Sequence, residues 1–195
     1  LKEARAKEGK FFSRQRFVCC DIERVALKDA VFDLVFSSLS LQWCRELNRA
    51  FSETHRILKP DGLFLFTTLG PDTLKELRLA WTEVSDTPHV NQFFDMHDMG
   101  DALVANGFSH PVMEAEYITV NYDDVMSLMR DLKGLGASNA APDRSRGLLG
   151  KKHLRALKDA YEVNRADGKL PATYEVIYGH AWARGNVSDR NKVSA

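Results

Sequence analysis

The sequence predicts an α/β fold, on three observations. Short apolar runs of strand length, Phe17–Cys20, Asp33–Phe36 and Leu63–Thr68, are rich in Val, Leu and Phe. Longer segments such as Cys44–Lys59 repeat their apolar residues every three or four positions, the period of a helix with one buried face. Gly and Pro turn signals, Pro60-Asp61-Gly62 and Gly70-Pro71, separate the two kinds of segment. Strands alternating with helices in this order indicate a mostly parallel sheet.

Leu1–Glu8 consists of good helix formers and Gly9 offers a stop, so the chain opens in the last turns of a helix. Phe17–Cys20 reads as a strand ending at Asp21-Ile22, and Glu23–Ala30 is too short for a full crossover helix. Asp33–Phe36 is apolar after its first residue, which predicts a strand covered on both faces. Its exit, Ser37-Ser38 followed by Gln42 and Trp43, then lies at the carboxyl end of a parallel strand, where open α/β sheets bind ligands. Trp43 reads equally well as a wall of that site or as a ring packing a loop onto the sheet. The Cys44–Lys59 helix carries Leu47, Phe51, Thr54 and Leu58 on one stripe, and Pro60-Asp61-Gly62 stops it. Leu63–Thr68 is a central strand, and Pro71 is set to start a helix over Asp72–Val84.

The second half differs in character. Ser85–Phe94 is a polar loop carrying His89, Met96–Asn106 a helix ending at Gly107, and Pro111–Val120 a strand. A helix over Asp123–Lys133, a Gly- and Ser-containing loop over Gly134–Gly150 and a basic helix over Lys151–Arg165 follow. Thr173–Arg184 closes as a half-buried strand, with Tyr174, Val176, Tyr178, His180 and Trp182 on one face and Glu175, Ile177, Gly179, Ala181 and Ala183 on the other. Asn186–Ala195 reads as an untied polar tail.

The 195 residues, 44% hydrophobic, suffice for one domain with a core and a small appended unit. Equal numbers of basic and acidic residues, 27 of each, remove the electrostatic case for a general nucleic-acid or anionic-membrane binder. No apolar run approaches membrane-spanning length, so the expectation is a soluble, cytoplasmic protein without a membrane partner. Cys19, Cys20 and Cys44 are odd in number and form no C-x-x-C pair, which points to reduced thiols and to no metal site. Gly134-Leu135-Gly136 lacks a third glycine, and Gly147–Lys152 has the wrong spacing for a phosphate loop.

Four separated segments carry a family resemblance: Ser37–Trp43, Leu69–Arg78, His89–Asn91 with Phe94–Asp98, and Leu170–Val176. Together with Asp21-Ile22 they resemble the Rossmann-like S-adenosylmethionine methyltransferases, and among these the malonyl-carrier-protein O-methyltransferases of biotin synthesis. The resemblance implies methyl transfer from S-adenosylmethionine to the free carboxylate of malonyl-acyl carrier protein. Such a carboxylate is already ionised near neutral pH, so positioning and desolvation replace a general base. It implies that Trp43, with an indole N–H that only donates, and Gln42 position the carboxylate, as the Ser-Ser-x-Ser-Leu-x-Trp segment does in plant carboxyl methyltransferases. On the cofactor side it assigns Asp21 to the adenine amino group, Ile22 to a backbone and side-chain contact, and Ser37 to the methionine portion.

The implied lid and carrier dock is the insertion over residues 123–168. Between Asp143 and Asp159 it holds Arg144, Arg146, Lys151, Lys152, Arg155 and Lys158, six positive residues against two negative. Such a run suits an acidic carrier protein, and equally a solvated helix face. Arg144 could instead reach the carboxylate; Tyr174 and Tyr178 line an acyl tunnel or simply pack; His89 and His97 hydrogen-bond within loops.

The chain departs from the family in lacking a first strand with a Gly-rich loop and a second ending in an acid. The expectation is therefore an amino-truncated piece, inactive alone and monomeric when complete, whose sheet lacks its first two strands and leaves the Asp33–Phe36 strand with an open edge. Residues 1–122 would be part of the core, 123–168 the helical lid, 169–185 the last core strand and 186–195 a tail. Two other readings are a relative of the mitochondrial complex I assembly factors that modify a protein arginine, and a non-catalytic scaffold. Gln42 before Trp43, Pro71 and the His89–Asp98 segment favour the biotin branch.

Overall fold

The computed structural model describes residues 16–85, 90, 93–134 and 151–185. In chain order these form β1 (Phe32–Ser38), a 3-10 turn (Leu41–Trp43), α1 (Leu47–Ile57), β2 (Leu58–Leu69), α2 (Lys75–Thr82), α3 (Met96–Ala105), β3 (Phe108–Tyr122), α4 (Val125–Gly134), α5 (Lys151–Glu162) and β4 (Leu170–Ala183). The strands make one sheet in the order β1-β2-β4-β3.

Three of the four described strands, β1, β2 and β3, point the same way, in line with the mostly parallel expectation, and β4 is the one reversed strand, antiparallel to both β2 and β3. After β2 the chain skips one position to lay down β3, and β4 returns in reverse to fill the gap.

Three helical or strand assignments shift for local reasons. β2 begins at Leu58, because Leu58 pairs with Phe32 before the chain loops through Lys59–Gly62 and rejoins at Leu63 opposite Leu34. That excursion uses Asp61 at φ 60° and Gly62, where a Cβ would lie 2.9 Å from the Lys59 carbonyl oxygen. α2 starts only at Lys75, since Leu74 takes the left-handed conformation that ends the Gly70–Leu74 turn. Phe17–Cys20 is not a strand; it has no ladder partner among the described residues, and Val18 is exposed.

Two apolar clusters follow from the helical faces. The first lies between the sheet and α1 with α3, where Phe51, Met99 and Leu103 meet Phe64, Phe66 and Ile177. The small residues of β4 face this side: a Cβ on Gly179 would stand 2.2 Å from Phe66 Cζ. The second gathers Leu77 and Trp81 of α2, Leu128 of α4, Leu157 and Tyr161 of α5, and the start of β4.

Among the described residues, the opposite face of the sheet is open where it carries Leu34, Phe36, Tyr178 and Trp182, and the second cluster covers it at the start of β4. β1 is not covered on both faces as its sequence suggested: Val35 packs on the first cluster and Ser37 is buried, while Leu34 is 50% and Phe36 65% exposed.

Candidate active site at the carboxyl edge of β1 and β2

The sheet's carboxyl edge is built from two tight turns. The first leaves β1. Leu39 takes φ 45°, and its N–H reaches the Thr67 carbonyl of β2 at 2.9 Å and the Thr67 hydroxyl at 3.1 Å. Ser37 and Ser40 share a hydroxyl hydrogen bond of 2.6 Å. The 3-10 turn then drives Leu41 fully into the first cluster.

Gln42 is tied down from both ends. Its amide nitrogen donates to the Leu39 carbonyl at 2.6 Å, and its amide oxygen accepts from Thr68 Oγ1 at 3.4 Å. Gln42 therefore braces the turn where the sequence suggested a donor to substrate. Trp43 belongs to the same turn and is 45% exposed, and its indole N–H makes no hydrogen bond among the described residues. An unpartnered N–H donor on a braced turn can hold an anionic oxygen without losing an internal partner.

The segment Asp21–Arg24 is fastened beside this turn. Asp21 Oδ1 accepts from the Glu23 N–H at 2.9 Å, and Asp21 bridges Arg24 through the backbone. The Glu23 carboxylate accepts from the Arg45 and Glu46 N–H groups at the entry to α1, where helix N–H groups lack internal partners. Ile22 packs against the first cluster. Cys44 lies in the same place: burial first, then the Glu23 and Asp21 carboxylates, pushes its thiol up to about 11. The structure thus brings Asp21, Ile22, Ser37, Gln42 and Trp43 to one edge of the sheet.

The second turn, Gly70–Leu74, leaves β2 and wraps the Glu175 carboxylate of β4. Glu175 is 7% exposed. Its Oε2 accepts from the Asp72 N–H at 2.7 Å, its carbonyl accepts from the Gly70 N–H at 2.9 Å and the Thr73 hydroxyl at 3.1 Å. Glycine is required at position 70 by this approach, since a Cβ there would lie 2.4 Å from Glu175 Cδ. Arg78 donates to the Pro71 and Thr73 carbonyls at 2.8 and 3.0 Å, and Glu76 accepts from the Thr173 N–H at 3.0 Å. Glu175, Thr73, Glu76 and Arg78 escaped the sequence reading as a unit. Their signal was the joint presence of Leu69–Arg78 and Leu170–Val176, two of the resemblance segments, which here prove to be two halves of one hydrogen-bonded corner.

The remaining sequence candidates separate. Tyr174 is half-buried against the second cluster, where burial and Tyr122 push its phenol well above the ordinary range. Tyr178, on the open face, donates to Glu116 Oε2 at 3.0 Å. Lys152, Arg155 and Lys158 are exposed along α5, Lys151 opens that helix, and Arg144, Arg146 and His89 lie outside the described residues. His97 sits in the first turn of α3, its N–H donating to Asp95 Oδ1 at 2.7 Å.

A family model described as a methyltransferase domain matches residues 1–66. The malonyl-acyl-carrier protein O-methyltransferase of Methylovorus is 57% identical over 171 residues, covering 88% of this chain and 58% of that protein. The chain is a homologue of the malonyl-acyl-carrier protein O-methyltransferases. The Nitrosospira multiformis member of this family is 56% identical over 170 residues, covering 87% of the chain and 55% of that protein. The chain thus spans a little over half the length of these methyltransferases. Among solved structures, the YcgJ protein of Bacillus subtilis matches with a TM-score of 0.59 at 14% identity, covering 88% of this chain and 72% of that one. A Bacillus halodurans protein described as a candidate methyltransferase gives the same TM-score at 16% identity, covering 87% and 78%. The fold is that of the class I methyltransferases, with a four-stranded sheet among the described residues.

Proposed function

We propose that this chain is the substrate-side portion of an S-adenosylmethionine-dependent methyltransferase acting on the free carboxylate of malonyl-acyl carrier protein. The observation that carries the reading is identity of 53–57% to four relatives bearing that name, spread over 85–88% of the chain. Those names do not favour the arginine-modifying alternative.

The residues present fit one side of the methyl donor. Asp21 offers an exposed carboxylate that can accept from an exocyclic amine, and Ile22 offers an apolar wall next to it. Bound there, S-adenosylmethionine supplies an electrophilic methyl group on a positively charged sulfur. The chain's own work is to hold the acceptor. Trp43 donates its indole N–H to the malonyl carboxylate; the Leu39–Trp43 turn, braced by Gln42, Thr67 and Thr68, keeps the ring in place. Fixing the attacking oxygen and excluding water from it lowers the barrier through proximity, with no proton to move. The exposed Lys152, Arg155 and Lys158 face of α5 offers positive charge to an acidic carrier, and rim charges of this kind act mainly on association rate.

The test joins the chain to the part of the Methylovorus relative that it does not match, and weighs malonyl-carrier protein after incubation with the methyl donor. The expected result is gain of one methyl in place of a proton, lost in Trp43→Ala. Donor binding without methylation of the carrier would refute the acceptor assignment.

A further inference from the structure

One carboxylate fastens both halves of the candidate site. Asp21 Oδ1 accepts from the Glu23 N–H at 2.9 Å, and the Arg24 N–H donates to the Asp21 carbonyl at 3.1 Å, so the segment is a tight turn that fixes the direction of the Asp21 carboxylate. The Glu23 side chain leaves this turn and accepts from the Arg45 N–H and, at 3.0 Å, from the Glu46 N–H. Arg45 and Glu46 follow Trp43 after a single residue, Cys44. One side chain therefore runs from the segment assigned to the methyl donor to the turn assigned to its acceptor.

A helix cap alone would not need this reach. The residue before α1 is Glu46, whose side chain makes no cap hydrogen bond, and a Ser or Asp there would serve the same helix end locally. The acceptor oxygen comes instead from a residue 22 and 23 positions upstream of the two N–H groups. Among the described residues no basic side chain pairs with Glu23, so its charge is directed at these two backbone donors. Ile22 packs the same turn on the first cluster, as does Cys44, whose thiol is raised first by burial and then by the Glu23 and Asp21 carboxylates. Apolar packing has no direction and holds the turn close without fixing where it points; the Glu23 hydrogen bonds supply that direction.

We infer that Glu23 is a positioning residue for methyl transfer: it holds Asp21 and Ile22 in register with the Trp43 turn, so that the donor's methyl group and the acceptor oxygen meet in line. The inference rests on the donor and acceptor assignments proposed above and gives Glu23 no contact with either reactant. In a reaction with no proton to move, alignment is the protein's main contribution, and a displacement of about 1 Å can cost about a hundredfold in rate.

The test uses the chain joined to the part of the Methylovorus relative that it does not match, with calorimetry of S-adenosylmethionine binding and separate kcat and KM for malonyl-carrier protein. Amide exchange is read on the 195-residue chain. Glu23→Ala should weaken donor binding and lower kcat by roughly tenfold or more each, keep KM for the carrier within about threefold, and speed exchange at Arg45 and Glu46. Glu23→Gln keeps an acceptor oxygen and should restore both donor affinity and kcat to within about threefold of the parent. Glu46→Ala changes the same helix entry without cutting the tie and should leave donor affinity unchanged. Faster exchange at Arg45 and Glu46 with unchanged donor affinity in Glu23→Ala would reduce Glu23 to a helix cap and overturn the inference, as would a Glu23→Gln variant no better than Glu23→Ala. A parent that binds the donor and does not methylate the carrier would refute the proposed acceptor, and the donor-affinity series would still decide the role of Glu23.

Discussion

Gly70→Ala tests whether the corner between β2 and β4 is as rigid as its hydrogen bonds imply. A methyl group at position 70 would stand 2.4, 2.5 and 2.8 Å from Glu175 Cδ, Oε2 and Cγ, against ordinary carbon contacts of about 3.5–4.0 Å. The carboxylate cannot swing aside freely, because it holds the Asp72 N–H while the Glu175 carbonyl holds the Gly70 N–H and the Thr73 hydroxyl. Either the backbone yields, at about 1–3 kcal/mol for overpacking, or the charged hydrogen bond breaks, at about 1.5–3 kcal/mol. The cheaper route sets the cost, so urea unfolding should report a loss of about 1–3 kcal/mol and the melting temperature should fall by roughly 3–10 °C. Glu175→Ala alone should cost about 1–3 kcal/mol through the orphaned Asp72 N–H. In Glu175→Ala the methyl meets empty space, so the double variant should be more stable than the sum of the singles predicts by about 1–2 kcal/mol. Additivity within about 0.5 kcal/mol would refute the clamp.

Trp43→Ala, at an exposed ring, should change stability by no more than about 0.5 kcal/mol while abolishing carrier methylation in the completed enzyme, checked by unfolding and intact mass. Cys44 carries a thiol pushed up to about 11 from 9.0, so the folded state holds its proton longer than the unfolded one; stability should fall as pH rises from about 9 to about 11, and Cys44→Ala should flatten that fall. Glu53 is held below the usual carboxylate range, first by Arg56. It therefore stabilises the fold above its unfolded value near 4.5, and that contribution is lost as pH falls through the lower folded value. Arg56→Ala should remove this acid dependence and speed amide exchange over residues 25–31, because its guanidinium also holds the Val25 and Leu27 carbonyls at 2.8 and 2.9 Å. Gly179→Ala should cost about 1–3 kcal/mol by driving a methyl into the Phe66 ring, measured by the same unfolding assay.

Periodicity located most elements because their burial obeys it. α1 buries Leu47, Ala50, Phe51, Thr54 and Ile57, the spacing of one helical face, and β4 alternates over Leu170–Ala183. Pattern failed where a contact distant in sequence decided the outcome. Phe17–Cys20 has the composition of a strand and, among the described residues, no ladder partner. Phe36 has the composition of a core residue, and its face is open because composition records what a residue prefers to touch and not what is present to touch it. On the candidate site, residue type pointed to Trp43 and Gln42, which lie in the 3-10 turn that follows β1. Only geometry distinguished them: both ends of the Gln42 amide are satisfied inside the turn, whereas the Trp43 N–H has no partner among the described residues.

The same contrast bears on how the chain divides its labour. The first apolar cluster and the hydrogen bonds of the Glu175 corner lie within the described strands and helices, and they hold the Leu39–Trp43 and Gly70–Leu74 turns. The acceptor side of the proposed reaction therefore depends on contacts the chain makes with itself. The donor side is held more lightly: Asp21 sits on a short turn fastened through Glu23 to the entry of α1 and through Ile22 to the first cluster, and β1 beside it is an edge strand among the described residues. Joining the chain to the part of the Methylovorus relative that it does not match should raise affinity for the methyl donor while leaving the exchange rates of Thr67–Leu74 unaltered. A segment that instead reshaped Thr67–Leu74 on binding would show that the acceptor side is not preformed.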